Sequence, residues 1–367
     1  MSTGLHVSEL ETPALVIDLD IMERNLERLA DYGREHQLRL RPHTKTHKIP
    51  ALARKQLDLG AAGLTVAKVG EAEVMLGAEP PDVLVAFPVI GNGKLRRLME
   101  VARKTEVTVA LDSMAAARQL SEAAQTARVE IGVLAEADVG LGRVGVAPGA
   151  ELVDLARGMD GLPGLRFEGI AFYPGHIKVL DEDGLRALDR LSETVESMLE
   201  DLRRAGLETR IVSGGSTPTL FHSHCIRGLN EIRPGTYIFN DRNTVQCGAA
   251  GMEDCAAAIV ATVVSTAHPG QIIIDGGSKT FSSDRPATGE VSFGHVLDAP
   301  QAVFGKMNEE HGFIDVHKAE RGFEVGDRVR IIPNHVCVAI NLHEQVYGLR
   351  EDRVECVWRV AGRGKLQ

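Results

Sequence analysis

The stretch "VTVALDSMAAARQLSEAAQTARVEIGVLAE", Val107 to Glu136, holds the pattern on which the fold turns: a short apolar β-rich run, a helical interval, and a second β-rich run. Two such runs separated by enough chain for a helix imply parallel strands joined by a crossover. Working outward in both directions, the alternation persists from residue 38 to residue 240. Eight runs stand out: "LRLRPHTK" (Leu38 to Lys45), "GLTVA" (from Gly63), "DVLVAF" (from Asp82), "VTVALD" (from Val107), "EIGVLAE" (from Glu130), "FEGIAFY" (from Phe167), "TRIVSGG" (from Thr209) and "EIRPGTYIF" (from Glu231). Eight strand–helix units predict an α/β fold of the (β/α)8 TIM-barrel type, with a doubly wound open sheet as the alternative. The intervals "GKLRRLMEVARK" and "LDRLSETVESMLEDLRRAG" carry apolar residues three and four apart, as helices packed around a barrel require.

Beyond residue 250 the character changes to "AAIVATVVST", "QIIIDGG", "RVRIIPNHVCVAINL" and "RVECVWRVAG", β-rich segments without long helices between them. A smaller β-rich C-terminal domain is expected over residues 251–367, following a barrel over residues 1–250. The first ~15 residues are expected to pack with the β domain. A chain of 367 residues, 44% hydrophobic, is long enough for two such cores. Its formal charge of −10, without a dense basic run, argues against a nucleic-acid partner and leaves a small molecule as the default. No basic segment precedes an apolar one at the start, and no run approaches the roughly 20 apolar residues that span a bilayer, so a cytoplasmic protein is expected. The five scattered cysteines read as free thiols.

Strand alternation in "LRLRPHTKTHK" puts Arg39, Arg41, His43, Lys45 and His47 on one face and Leu38, Leu40, Pro42, Thr44 and Thr46 on the other. On a solvated edge strand such a face is unremarkable. On a barrel strand the cations repel one another unless an anion sits among them, and the crowding depresses a lysine's pKa. A phosphorylated aldehyde answers both conditions. In "IIPNHVCVAINL" the same period places His335 and Cys337 on one face, either as core residues or as an imidazole and a thiolate offered to one borderline ion, with zinc ahead of manganese or magnesium. "SGGST" ends the seventh run, where glycines let the backbone approach a phosphate, although such a turn is equally an ordinary loop.

"RPHTKTHK" resembles the first-strand motif of the metal-dependent D-threonine aldolase and D-serine dehydratase family, built on the alanine-racemase type of pyridoxal-phosphate barrel. The similarity runs from "ETPALVIDLD" to "PNHVCVAINL". It implies that Lys45 carries pyridoxal 5'-phosphate as a Schiff base. Arg143, in "VGLGRVGV", would contact the cofactor's phenolic oxygen, with Tyr173 also on the cofactor. Gly214, Gly215, Ser216 and Thr217 would hold the phosphate together with Gly235, Thr236 and Tyr237, and Arg233 would face the pyridine nitrogen. His335 and Cys337 would bind the divalent metal. One departure stands out: in "FYPGHIKV", Pro174 occupies the place of the family's base histidine, leaving His176, two residues on, as the candidate base. His43 and His311 are candidates for substrate contacts or for groups just behind them.

The resemblance implies a lyase that cleaves D-3-hydroxy amino acids to glycine and an aldehyde. A dehydratase giving a 2-oxo acid and ammonia is the alternative, and a racemase or a non-catalytic cofactor carrier follows behind. A homodimer is expected, both by resemblance and because closed twofold assemblies are common.

Overall fold

The computed structural model describes residues 4–286 and 289–367. Its elements, in chain order, begin with β1 (Ala14–Asp18), α1 (Leu19–Glu35), β2 (Arg39–Leu40), α2 (Pro50–Asp58), β3 (Leu64–Val66), α3 (Val69–Met75), β4 (Asp82–Val85) and α4 (Asn92–Ala102). They continue with β5 (Glu106–Leu111), α5 (Met114–Ala127), β6 (Ile131–Ala137), α6 (Ala150–Asp160), β7 (Leu165–Phe172), α7 (Glu182–Arg204), β8 (Ile211–Gly214), β9 (Glu231–Ile232) and α8 (Arg242–Gln246). The remainder is β10 (Ala257–His268), β11 (Gln271–Ile274), α9 (Ser278–Phe281), β12 (Gly294–Val296), β13 (Val303–Met307), β14 (Gly312–Asp315), β15 (Arg328–Pro333), α10 (Val336–Leu342), β16 (Gln345–Arg350) and β17 (Arg353–Arg359). The chain divides into two compact units, residues 28–235 with 364–367, and residues 1–27 with 236–363.

In the first unit eight parallel strands run in the order β2-β9-β8-β7-β6-β5-β4-β3. The ring closes between its ends: Ala62 N–H donates to Leu40 O, Thr65 N–H to Pro42 O and Thr44 N–H to Thr65 O, each at 2.8 Å. The expected barrel is therefore present, with each of the eight runs supplying a strand. Strands such as β4 and β5 read as largely apolar runs because helices cover the outside and side chains fill the inside. Leu84, Ala110, Leu134, Ala171 and Ile211, one from each of β4 to β8, form a buried cluster. The helices stop and start on local signals. Ser113 accepts Ala116 N–H at the head of α5, and Asp181 accepts Gly184 N–H at the head of α7. In α7, Leu188, Leu191, Val195, Met198 and Leu202 fall three and four apart and are buried.

The second unit is built on a nine-stranded sheet whose main path is β13-β14-β11-β10-β1-β16-β17, with β15 joining β10 and β12 joining β15. Strand β1 lies antiparallel to β10 and parallel to β16, and Leu10, Ala14, Val16, Ala258, Val260, Leu349 and Val354 pack as its core. The expected β-rich domain is present, but its bounds differ from the expected 251–367: it takes in the chain up to Glu27, begins again at Thr236, and leaves residues 364–367 with the barrel, because β1 pairs with β10 and β16.

Candidate active site

Lysine 45 owes its setting to the way β2 ends. The strand stops at Leu40, the backbone keeps one further parallel bridge, His43 to Thr65, and then turns. Lys48 N–H donates to Thr44 O at 2.8 Å, closing the turn, and Lys48 adopts φ +57, a left-handed conformation that a side chain takes only when its surroundings hold it there. What holds it is a buried ion pair: Lys48 Nζ lies 3.1 Å from Glu71 Oε1, and Glu71 Oε2 accepts Ala67 N–H at 2.8 Å. His47 is fully buried, its Nδ1 accepting Ile49 N–H at 3.0 Å and its Nε2 3.3 Å from Gln56 Oε1. Lys45, between these anchors, is exposed.

The single cationic face expected from Arg39 to His47 is thus corrected: alternation holds through Arg41, and the turn redirects everything after His43. Repulsion inside the barrel is relieved by acids rather than by an anion alone. Arg41 is fully buried, with Nε 3.0 Å from Glu231 Oε2 and NH1 2.8 Å from Asp82 Oδ1. His43 accepts Lys45 N–H at 3.3 Å on Nδ1. Burial pushes its pKa well below the ordinary histidine range, helped by the nearby charges of Lys45 and Arg233, so His43 is a neutral imidazole next to the lysine.

Arg233 leaves β9 into the same region. Its NH1 donates to Ser213 Oγ at 2.6 Å and its NH2 to Phe172 O at 3.1 Å, so β7 and β8 grip it with neutral acceptors. Ser213 in turn donates to Glu231 Oε1 at 2.6 Å. Gly215 sits at φ +90, the left-handed region that glycine enters freely, and a Cβ on Gly214 would strike the Phe172 ring. A Cβ on Gly235 would stand 2.8 Å from Thr46 Oγ1 and 2.9 Å from His43 O, so only glycine fits against the lysine turn. Ser216 is buried and spends its N–H and hydroxyl on Thr219 Oγ1, while Thr217 is half-buried in the same turn.

Arg143 stands exposed on the loop after β6, its guanidinium carbon 5.0 Å from the centroid of the Tyr173 ring. Asp138 shapes that loop by accepting the N–H groups of Gly140, Leu141 and Gly142, which hold its carboxyl below the usual range. His176 lies in the turn where Ile177 N–H donates to Pro174 O, exposed, with its ring 3.2 Å from where a Cβ on Gly140 would stand. The turn therefore lays His176 on the Arg143 loop. Glu136, one residue before the end of β6, was missed in the sequence. Burial raises its pKa, Arg233 and then Arg143 oppose that rise, and its place on the inward parity of "EIGVLAE" was the available signal. Lys45, His43, Arg233, Tyr173, Glu136 and Arg143 thus form one chain of electrostatic neighbours within this unit.

In the other unit, His335 and Cys337 are not on a strand. β15 ends at Pro333, His335 is the extended residue before α10, and Cys337 lies in its first turn. The correction has a visible cause: Asp241, fully buried, accepts Val336 N–H on Oδ2 at 3.0 Å and so starts a helix where β-branched residues suggested a strand. The same oxygen is 3.5 Å from His335 Nδ1. Hydrogen bonds to Asp241 and to Cys337 push the His335 pKa up to about 11. Thr236 Oγ1 is 3.8 Å from Cys337 Sγ, and Tyr237 is buried in the following turn. His311 is exposed in the β13–β14 hairpin, where its carbonyl accepts Asn308 N–H at 2.9 Å.

The donor chemistry fits both groups that the resemblance implies. An exposed lysine on a pinned turn, next to a neutral histidine and an arginine bound to neutral acceptors, suits an aldehyde cofactor with a basic ring nitrogen. For a metal, no set of three or more His, Cys, Asp or Glu side chains is grouped for the purpose among the described residues. His335 and Cys337 offer two donors, with Asp241 as the outer partner that orients the ring, so further ligands would come from substrate or water.

The chain matches the family model described as alanine racemase, N-terminal domain, over residues 17–243, and the one described as putative serine dehydratase domain over residues 256–349. It is 32% identical over 373 residues to a 3-hydroxy-D-aspartate aldolase of Paracoccus denitrificans, across 99% of this chain and 94% of that one. The crystal structure of D-threonine aldolase from Filomicrobium marinum superposes with a TM-score of 0.94 at 32% identity, over 100% of both chains. D-threo-3-hydroxyaspartate dehydratase from Delftia sp. HT23 superposes with a TM-score of 0.87 at 30% identity, over 96% of this chain and 98% of that one. Solved variants of D-threo-3-hydroxyaspartate dehydratase include a metal-free form with a cysteine changed to alanine and another with a histidine changed to alanine, at positions two residues apart.

Proposed function

The chain belongs to the family of the alanine racemase N-terminal domain, and from that premise we propose that it is a pyridoxal-phosphate lyase, assisted by a divalent metal, that cleaves D-3-hydroxy amino acids to glycine and an aldehyde. The observation that carries this reading is Lys45, exposed on a turn pinned at both ends, beside neutral His43. Two relatives that this chain matches along nearly its whole length are aldolases of this kind, acting on D-threonine and on 3-hydroxy-D-aspartate.

Lys45 would hold the cofactor through its Nζ. Arg143 would lie at the phenolic oxygen with Tyr173 beneath it, and Arg233 at the ring nitrogen. Gly214, Gly215, Ser216, Thr217, Gly235, Thr236 and Tyr237 would supply the phosphate contacts. When bound, the cofactor supplies an electron-withdrawing ring conjugated to the substrate nitrogen, which lowers the cost of breaking a bond at the α-carbon. Arginine does not give up its proton in proteins, so Arg233 would leave a ring nitrogen facing it unprotonated and would limit how much negative charge the ring absorbs. His335 and Cys337 would hold the metal, whose role is to polarise the substrate's β-hydroxyl. The base that takes the hydroxyl proton would be His176 at a ring nitrogen, since the side chain of Pro174 has no lone pair to accept it. Zinc suits the sulfur donor better than manganese or magnesium.

A second reading, β-elimination to a 2-oxo acid and ammonia, keeps these roles but uses Lys45 Nζ to take the α-proton. Cys337 favours it, because the dehydratase variants affect a histidine and a cysteine at the spacing of His335 and Cys337. Incubation with D-threonine and with D-serine, separating glycine from 2-oxo acid, decides between them. Neither product from either substrate would overturn the lyase reading. A homodimer is part of the proposal, checked by light scattering of the purified protein. No helix among the described residues is long and apolar enough to cross a membrane.

A further inference from the structure

A line of buried polar side chains crosses the barrel interior beneath the lysine turn, and the roles assigned so far use only its last member. Asp82 Oδ1 meets Arg41 NH1 at 2.8 Å, Arg41 Nε meets Glu231 Oε2 at 3.0 Å, Ser213 Oγ lies 2.6 Å from Glu231 Oε1, and Arg233 NH1 lies 2.6 Å from Ser213 Oγ. Arg41, Ser213 and Glu231 are all fully buried. We propose that Ser213, oriented by Glu231, is a positioning residue for Arg233: its hydroxyl stands between a cation and an anion and keeps the guanidinium from closing onto the carboxylate. The inference rests on the proposed function, since it concerns how Arg233 meets the cofactor's ring nitrogen.

The direction of every bond in the line is forced. A guanidinium only donates and a carboxylate only accepts, so the hydroxyl proton of Ser213 must point to Glu231 and its lone pairs to Arg233. Glu231 accepts from Arg41 Nε on its other oxygen, so both carboxyl oxygens are engaged as acceptors. With NH1 held by Ser213 and NH2 by Phe172 O, two corners of the planar guanidinium are fixed, and the plane with them. Arg233 has no carboxylate within ion-pair distance among the described residues, although Glu136 and Glu231 both act on it through space. Without the intervening hydroxyl, Glu231, on the far side of Ser213 Oγ, is opened to that cation. Arg233 would then swing inward, away from the cofactor.

The test uses the cofactor-loaded enzyme in three forms: wild type, Ser213→Ala and Ser213→Thr. Ser213→Ala is expected to retain the cofactor with a modestly lowered melting temperature, since Glu231 Oε1 loses a buried donor. Its visible band should shift and lose induced circular dichroism, and kcat should fall about tenfold, the loss of one hydrogen bond to a charged group, at little-changed KM. Ser213→Thr keeps a hydroxyl at the same atom and is expected to restore band, dichroism and kcat. Should Ser213→Ala match the wild type in all three, the positioning role is wrong. Equal losses in both variants with a lowered melting temperature would also overturn it, assigning Ser213 to packing alone. A wild type with no visible band would instead sink the proposed function, and this inference with it.

Discussion

Lys45 and Lys48 are three residues apart in a near-repeat, "TKTHK", and the turn gives them opposite settings: one exposed, the other buried against Glu71. Borohydride reduction of the loaded protein, followed by peptide mapping, should therefore find the cofactor on Lys45, and Lys45→Ala should lower turnover by roughly a thousandfold or more. A label on Lys48 would refute the assignment. Arg143→Ala removes the cation over Tyr173 and should weaken cofactor binding by about fivefold with a changed spectrum, measured by titration of the cofactor-free protein. At this scale the sequence was legible where a residue's type limits its chemistry. Lys45, Arg143 and Arg233 were singled out on their motifs, and each now has a described neighbourhood. Glu136 and Asp241 were not, because each acts through partners distant in sequence: Asp241 reaches Val336 across 95 positions.

Among the elements, the lysine turn makes the sharpest prediction. Burial holds His47 neutral, lowering its pKa from 6.5 to about 4 against the opposing hydrogen bonds with Gln56 and Ile49. A folded-state pKa below the unfolded value means that the unfolded chain binds the proton first. Stability is then fully present above the unfolded pKa and drains away as the pH falls through the folded one, His43 shifting in the same direction. His47 alone should account for about 2 kcal/mol lost between pH 7 and pH 5. Urea unfolding at both values checks this, and His47→Gln should flatten the difference while lowering stability at pH 7. Gly235→Ala, pressing on His43 O and Thr46 Oγ1, should cost about 1–3 kcal/mol. The barrel strands were readable because runs such as "DVLVAF" and "VTVALD" are largely apolar, whatever surrounds them. The two misread elements fail for one reason. In "HTKTHK" a left-handed Lys48, and in "NHVCVAI" a capped Val336 N–H, are imposed by Glu71 and Asp241 from elsewhere, and neighbouring residue types cannot reveal that.

Across the whole molecule, the residues proposed for the cofactor fall almost entirely in one compact unit, and the pair proposed for the metal in the other. Chelation should accordingly abolish turnover while leaving the visible band largely intact. Zinc should restore activity at least as well as manganese, and Cys337→Asp should move that preference toward the harder ion. Full activity in metal-free Cys337→Ala protein would remove the metal from the reaction. The place of β1 has a consequence in time. Residues 14–18 leave the ribosome early, yet their sheet partners are residues 257–260 and 347–349. At a translation rate of about 5–20 residues per second, this apolar strand waits roughly fifteen seconds to a minute for its last neighbour, after the barrel's own strands have been made. During that interval it is a bare edge offered to any other chain, so nascent protein stalled before residue 257 should aggregate or recruit a chaperone through "ALVID".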